Sequence, residues 1–84
     1  MTHAQQIREE VLLQLYGAGL GISLSPKQMM RTAQRAGLSG TDMDFLQAAL
    51  FLTGQKFAER IEDPASGVVR FTITTTGVLK KENG

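Results

Sequence analysis

Lys27, Arg31 and Arg35 stand four residues apart in this chain. At helical pitch that spacing turns all three onto one face. No acid lies between residues 26 and 36, so this stretch carries three positive charges and no negative one. Such a face either stays solvated or meets an anion. Asp42 and Asp44 follow, and no Lys or Arg appears between residues 41 and 55. A spacing of two puts these carboxylates on different helix faces. They therefore suit the positive end of a helix dipole better than paired acid–base chemistry. The chain has no cysteine, which excludes disulfides, thiolate metal sites and Cys nucleophiles. Its one histidine, His3, lies near a terminus expected to fray. Neither a His-ligated metal nor a Ser-His-Asp triad can be assembled, and no enzyme, cofactor or metal is expected. The run Gly17-Ala18-Gly19-Leu20-Gly21 is no phosphate loop, because it follows a helical segment and lacks the necessary lysine.

The elements that must position these groups fit one domain spanning 1–84, since two cores in 84 residues would each be too small to fold unaided. Hydrophobic residues make up 42% and charged residues 20%, too apolar for a disordered chain. The N-terminus lacks the apolar run of a signal peptide, and the longest apolar stretch, Ala48 to Leu52, cannot cross a bilayer. A cytoplasmic location is expected, with no membrane partner.

Helical periodicity runs over residues 4–16, with Ile7, Val11 and Leu15 on one stripe and Leu12 and Tyr16 beside it. Gly17, Gly19 and Gly21 are expected to end it. Ile22-Ser23-Leu24 alternates and suits a short strand. Ser25, Pro26 and Gln28 form a capping box with Pro at the first helical position. They open a helix over 26–36 whose inward residues are Met29, Met30, Ala33 and Ala36, with Gly37 as terminator. Thr41 caps a third helix over 42–54. The period then becomes two: Val69, Phe71 and Ile73 share one strand face. Phe57 to Glu62 supplies the partner strand across the turn-rich loop Asp63-Pro64-Ala65-Ser66-Gly67. Thr74 to Gly77 closes this hairpin (57–74), and Val78 to Glu82 suits a short helical turn. Arg60 and Arg70 are expected to pair across the hairpin with Glu59 or Glu62. The fold class is α+β: three helices packed on a C-terminal hairpin, which is too small to be stable alone.

This order of elements resembles the winged helix–turn–helix family, most nearly the bacterial MarR-type regulators, over residues 22 to 80. The resemblance is carried by Leu52-Thr53-Gly54-Gln55-Lys56-Phe57-Ala58-Glu59-Arg60, by the Gly-tipped loop 63–67, and by Val68-Val69-Arg70-Phe71-Thr72-Ile73-Thr74-Thr75-Thr76-Gly77. Ser25-Pro26-Lys27-Gln28-Met29 resembles the family's second-helix start. The resemblance implies a DNA-binding protein whose third helix enters a major groove while the hairpin, the wing, reaches flanking DNA. Ser39, Thr41, Asp44 and Gln47 would then lie at the recognition positions. Arg60, Ser66, Gly67 and Arg70 would belong to the wing. Lys27, Arg31 and Arg35 would contact phosphates of double-stranded DNA. It implies a bacterial or phage transcription regulator acting as a homodimer.

The third helix also carries more large apolar groups than one inward stripe can bury. The inward stripe is either Phe45, Ala49 and Leu52 or Leu46, Ala49, Leu50, Thr53 and Phe57; in either case apolar groups stay near the rim, and Leu46, Leu50 and especially Phe51 are expected as a partner interface. The alternative function is therefore a winged-helix protein-interaction module with little DNA affinity. The formal charge of +1 divides into a basic second helix and an acidic start to the third. One copy should bind DNA weakly, and two should be needed.

Overall fold

Each of the first three helices begins at a hydroxyl residue that accepts the amide three positions on, while that third residue's side chain returns to the cap's own N–H. The pairs are Thr2 with Gln5, Ser25 with Gln28 and Thr41 with Asp44. Each box satisfies two amide donors that a helix start otherwise leaves orphaned. In a computed structural model describing residues 1–84 the helices are α1 (His3–Ala18), α2 (Pro26–Arg35), α3 (Asp42–Gly54) and α4 (Thr75–Asn83). The strands are β1 (Ser23–Leu24), β2 (Ala58–Glu62) and β3 (Val69–Ile73), in an antiparallel sheet of order β1-β3-β2. Ser23 stands opposite Thr72, and Arg60 opposite Phe71. This is the α+β winged-helix architecture.

The core joins Ile7, Val11 and Leu15 of α1, Met29 and Ala33 of α2, Phe45, Ala48, Ala49 and Leu52 of α3, and Phe71 and Ile73 of β3. The Phe45-Ala49-Leu52 stripe is thus the inward face of α3. Phe45 and Phe71 are fully buried, and truncating either to Ala would cost roughly 3–5 kcal/mol.

Several boundaries differ from the sequence reading. α1 continues through Gly17 and ends where Gly19, at φ +93°, returns its N–H to the Leu15 carbonyl. Its start is helical from His3 and is hydrogen-bonded. The Thr2 cap holds it, and His3 Nε2 donates to the Ser39 carbonyl at 2.7 Å. Ala36 is exposed rather than inward, because α2 stops at Arg35. The expected C-terminal turn is a nine-residue helix, α4. Thr75, Thr76 and Gly77 are weak helix formers, so local propensity concealed it. A local cap and a tertiary contact compensate: the Thr74 hydroxyl accepts the Gly77 amide at 3.0 Å, and the Tyr16 hydroxyl donates to Glu82 at 3.0 Å.

The position of the hairpin is set at Phe57, which lies outside β2. Lys56 adopts a left-handed conformation, φ +70°, and turns the chain so that Phe57 N–H reaches the Leu52 carbonyl at 2.9 Å. The Phe57 carbonyl accepts from Thr74 N–H at 3.1 Å, and the Thr74 hydroxyl donates to the Lys56 carbonyl at 2.6 Å. Gly77 packs directly on this junction: a Cβ there would overlap the Phe57 carbonyl oxygen and approach Ile73 Cγ1 to 2.8 Å.

Gly77→Ala tests that contact. In an unconstrained helix the exchange gains about 1 kcal/mol. Here the methyl must displace backbone, and overpacking of this kind costs roughly 1–3 kcal/mol. Thermal denaturation should show a loss of stability, with the midpoint lowered by roughly 10 °C; an unchanged or raised midpoint would refute the contact.

Candidate nucleic-acid interface

The turn between α2 and α3 is compact because Gly37, at φ +90°, lets the Leu38 amide return to the Ala33 carbonyl at 3.0 Å. Gly40 lies against the Phe45 ring and Ile7, where a Cβ would come within 2.8 Å of Phe45 Cε2. These contacts set α3 across α2. The solvent face of α3 carries Met43, Gln47 and Leu50, which helical geometry places within about 60° of arc and along about 10 Å of axis. Met43 is 55% exposed and Leu50 43%. A cleft of about 410 Å³ runs beside this face. Lys27 from the start of α2, Asp42, Met43 and Leu46 from α3, and Val68 and Val69 from the hairpin line it.

The cationic residues fall into two groups. Lys27, Arg31 and Arg35 are all exposed, as the spacing required. Lys27 is the one that lines the cleft, and Arg31 and Arg35 follow at steps of about 6 Å along the helix. Arg60 is exposed on β2, with Glu62 of the same strand 3.9 Å away. That pair sits along one strand rather than across the hairpin. Both partners are about half exposed, so its worth is roughly 0–1 kcal/mol. Arg70 makes no salt bridge with an acid; it is engaged within the sheet. Its Nε donates to the Ser23 hydroxyl at 2.9 Å and its Nη2 to the Ser23 carbonyl at 2.9 Å, fastening β1 to β3.

The expected recognition residues also divide. Thr41 and Asp44 occupy each other: Asp44 N–H donates to the Thr41 hydroxyl at 3.1 Å, and Thr41 N–H to the Asp44 carboxylate at 2.9 Å. They are the cap of α3 rather than free readers of bases. Ser39 is exposed in the turn, with its carbonyl engaged by His3. Gln47 alone of the four lies at the centre of the exposed face. Met43 belongs beside it and was missed from sequence, although its offsets of four from Gln47 and seven from Leu50 place it there.

Leu46, Leu50 and Phe51 do not form one patch. Leu46 faces the cleft, whereas Phe51 turns toward α1, where the Arg8 guanidinium stacks on its ring at 3.8 Å from the centroid. Phe51 still leaves 42% of its surface exposed. Arg8 was not foreseen as its cover, because 43 positions separate them in the chain.

At the wing tip Ser66 and Gly67 shape the loop. Gly67, at φ +73°, donates to the Asp63 carbonyl at 2.7 Å, and the Ser66 hydroxyl accepts from Val68 N–H at 3.3 Å. The Ala65 amide donates to the Asp63 carboxylate at 2.9 Å. That bond first, and the Ser66 hydroxyl second, hold the Asp63 pKa below the ordinary aspartate value. No cation lies between Glu62 and Val69, so the tip itself offers no attraction for phosphate.

The fold and the cleft between α3 and the hairpin define a winged-helix domain. Among solved structures it is similar to the crystal structure of a mutant of MarR from E. coli, with a TM-score of 0.69 and 15% sequence identity over 96% of this chain. The chain spans 63% of the length of that structure's chain. No family model matches the sequence, and no curated protein matches it. No helix is long and apolar enough to cross a membrane.

Two measurements check this assignment of roles. Thr41→Ala should lower stability by about 1 kcal/mol, the usual worth of an N-cap, as read from denaturant unfolding; no change would return Thr41 to the free recognition residues. Because the folded-state pKa of Asp63 is depressed, its contribution is present above the unfolded aspartate value and is lost as pH falls through the folded one. The Ala65 amide proton chemical shift should therefore titrate as its bond to the carboxylate is lost, with a midpoint below the ordinary aspartate range. That transition should be absent from Asp63→Asn, and a midpoint at the ordinary value would contradict the turn geometry.

Proposed function

We propose that this chain is a small DNA-binding protein, a bacterial or phage transcription regulator that acts in the cytoplasm as a homodimer. One observation carries the reading: the cationic start of α2 borders the same cleft as the exposed face of α3 and the hairpin. A duplex seated on α3 brings its phosphates to Lys27 and, along the same helix, to Arg31 and Arg35. Phosphate contacts of this kind position a protein without reading sequence. The likeness of the fold to MarR supports the same placement.

The electrostatics bound the affinity. Arg70 is engaged by Ser23, Arg8 stacks on Phe51, Lys80 and Lys81 lie beside α1 and Lys56 follows the C-terminal end of α3, so Lys27, Arg31, Arg35 and Arg60 are assigned to the DNA backbone. Asp42 stands in the cleft and works against them. Four cations are a modest set for duplex binding, so two copies side by side are required.

A second reading rests on the exposed apolar side chains of α3, Met43 and Leu50, beside a cleft walled by Leu46, Val68 and Val69. It makes the domain a protein-interaction module with little DNA affinity. Phe51 contributes to it separately, from the α1 side.

Salt titration of binding to random duplex DNA separates the two. The DNA reading expects retention at low salt and a log–log slope near about −3.6 per copy, for four phosphates neutralised. Arg31→Ala with Arg35→Ala should weaken binding to all sequences alike and flatten the slope by about 1.8. No binding at low salt with micromolar protein would reject DNA as the partner. Absence of duplex binding together with self-association weakened by Phe51→Ser in sedimentation, with the fold intact, would instead favour the interaction module.

A further inference from the structure

We infer that α3 reads A·T base pairs, with Gln47 on adenine and Met43 and Leu50 on the thymine methyl group. This rests on the DNA-binding reading above and adds the class of sequence that the site selects. The argument begins with what the helix lacks. No Lys or Arg occurs between Asp42 and Gln55, so the commonest partner of guanine, a bidentate cation on O6 and N7, is missing. Cytosine's N4 donor is best matched by a carboxylate. Asp44 is closed in the helix cap, and Asp42 lies about 100° round the helix from Met43, at the cleft edge. What the outer face does present is one primary amide between two apolar side chains.

That set has a specific complement. Gln47 is exposed and makes no hydrogen bond within the chain, so its amide donor and acceptor are both free. Adenine offers the matching acceptor and donor, N7 and N6, side by side in the major groove. Met43 lies one turn before Gln47 and Leu50 one turn after it, and both are about half exposed. Thymine is the base whose major-groove edge carries a methyl group, which these side chains can cover. The three residues span about 10 Å of helix, close to three base steps at 3.4 Å each. A duplex, rather than an apolar partner, is the occupant that accounts for Lys27 at the edge of the same cleft and for the acid-free cationic face of α2 behind it.

The test compares labelled duplexes of equal length and charge by fluorescence anisotropy at low salt: one of A·T pairs, one of G·C pairs and one of A·U pairs lacking the thymine methyl. The A·T duplex should bind about fivefold or more tightly than the G·C duplex, the discrimination expected of one bidentate amide–adenine contact. The A·U duplex should bind several-fold more weakly than A·T. Gln47→Ala should bring A·U and G·C together while keeping low-salt binding to both. Met43→Ala with Leu50→Ala should bring A·T and A·U together. All three side chains are exposed, and circular dichroism checks that the fold persists. Equal binding of A·T and G·C overturns the inference while leaving DNA binding intact. Equal binding of A·T and A·U overturns the thymine-methyl contact, and an A·T preference that survives loss of Gln47, Met43 and Leu50 together overturns the major-groove reading. Failure to bind any duplex at low salt overturns the DNA reading itself, and points to a protein partner on α3.

Discussion

The geometry of this molecule depends on the backbone junction around Phe57. Its amide is held by the end of α3 and its carbonyl by Thr74 at the start of α4, with Gly77 packed on that carbonyl. A left-handed residue, Lys56, makes the reversal possible. Three elements therefore meet at one peptide unit. The angle at which the hairpin leaves α3 is set there, and that angle opens the cleft between Met43, Leu46, Val68 and Val69. Because buried peptide groups are costly to leave unpaired, the junction behaves as a unit rather than as a hinge. Phe71 and Ile73 then lock the hairpin into the core laid down by the helices.

Charge is distributed in keeping with that geometry. The cations of α2 face outward together, whereas two others are withdrawn from the surface field: Arg70 into the β1–β3 staple and Arg8 onto the Phe51 ring. Acids gather at the start of α3 and along the hairpin. The total of +1 thus conceals one cationic face on α2 beside an outer face of α3 whose exposed centre, Met43, Gln47 and Leu50, is uncharged.

Much of this was legible in the sequence because its causes are local. The capping box at Ser25, the Thr41 cap, the three-four spacing of α1 and α3, and the two-residue period of β3 each act over a few positions. They placed α2, α3 and the hairpin close to where they lie. α4 was not legible, because Thr75, Thr76 and Gly77 favour a helix only when Phe57 and Tyr16 are in contact with it. Ala36 and Gly17 were misplaced by a similar margin: helix ends depend on where the capping carbonyls find partners, and periodicity alone does not say.

By itself, the sequence determined the order of elements, the inward stripe of α1, the cationic face of α2 and the absence of any base on α3. These follow from residue type and helical or strand period. Only the tertiary structure decided which of those groups are available. Arg70 is spoken for by Ser23, a residue 47 positions away, and Thr41 and Asp44 by each other. Leu46 and Phe51 turn to opposite sides of α3 because the hairpin packs on one flank and α1 on the other. A side chain's chemistry is written in its type, but whether it is free to act depends on partners that come together only when distant segments pack.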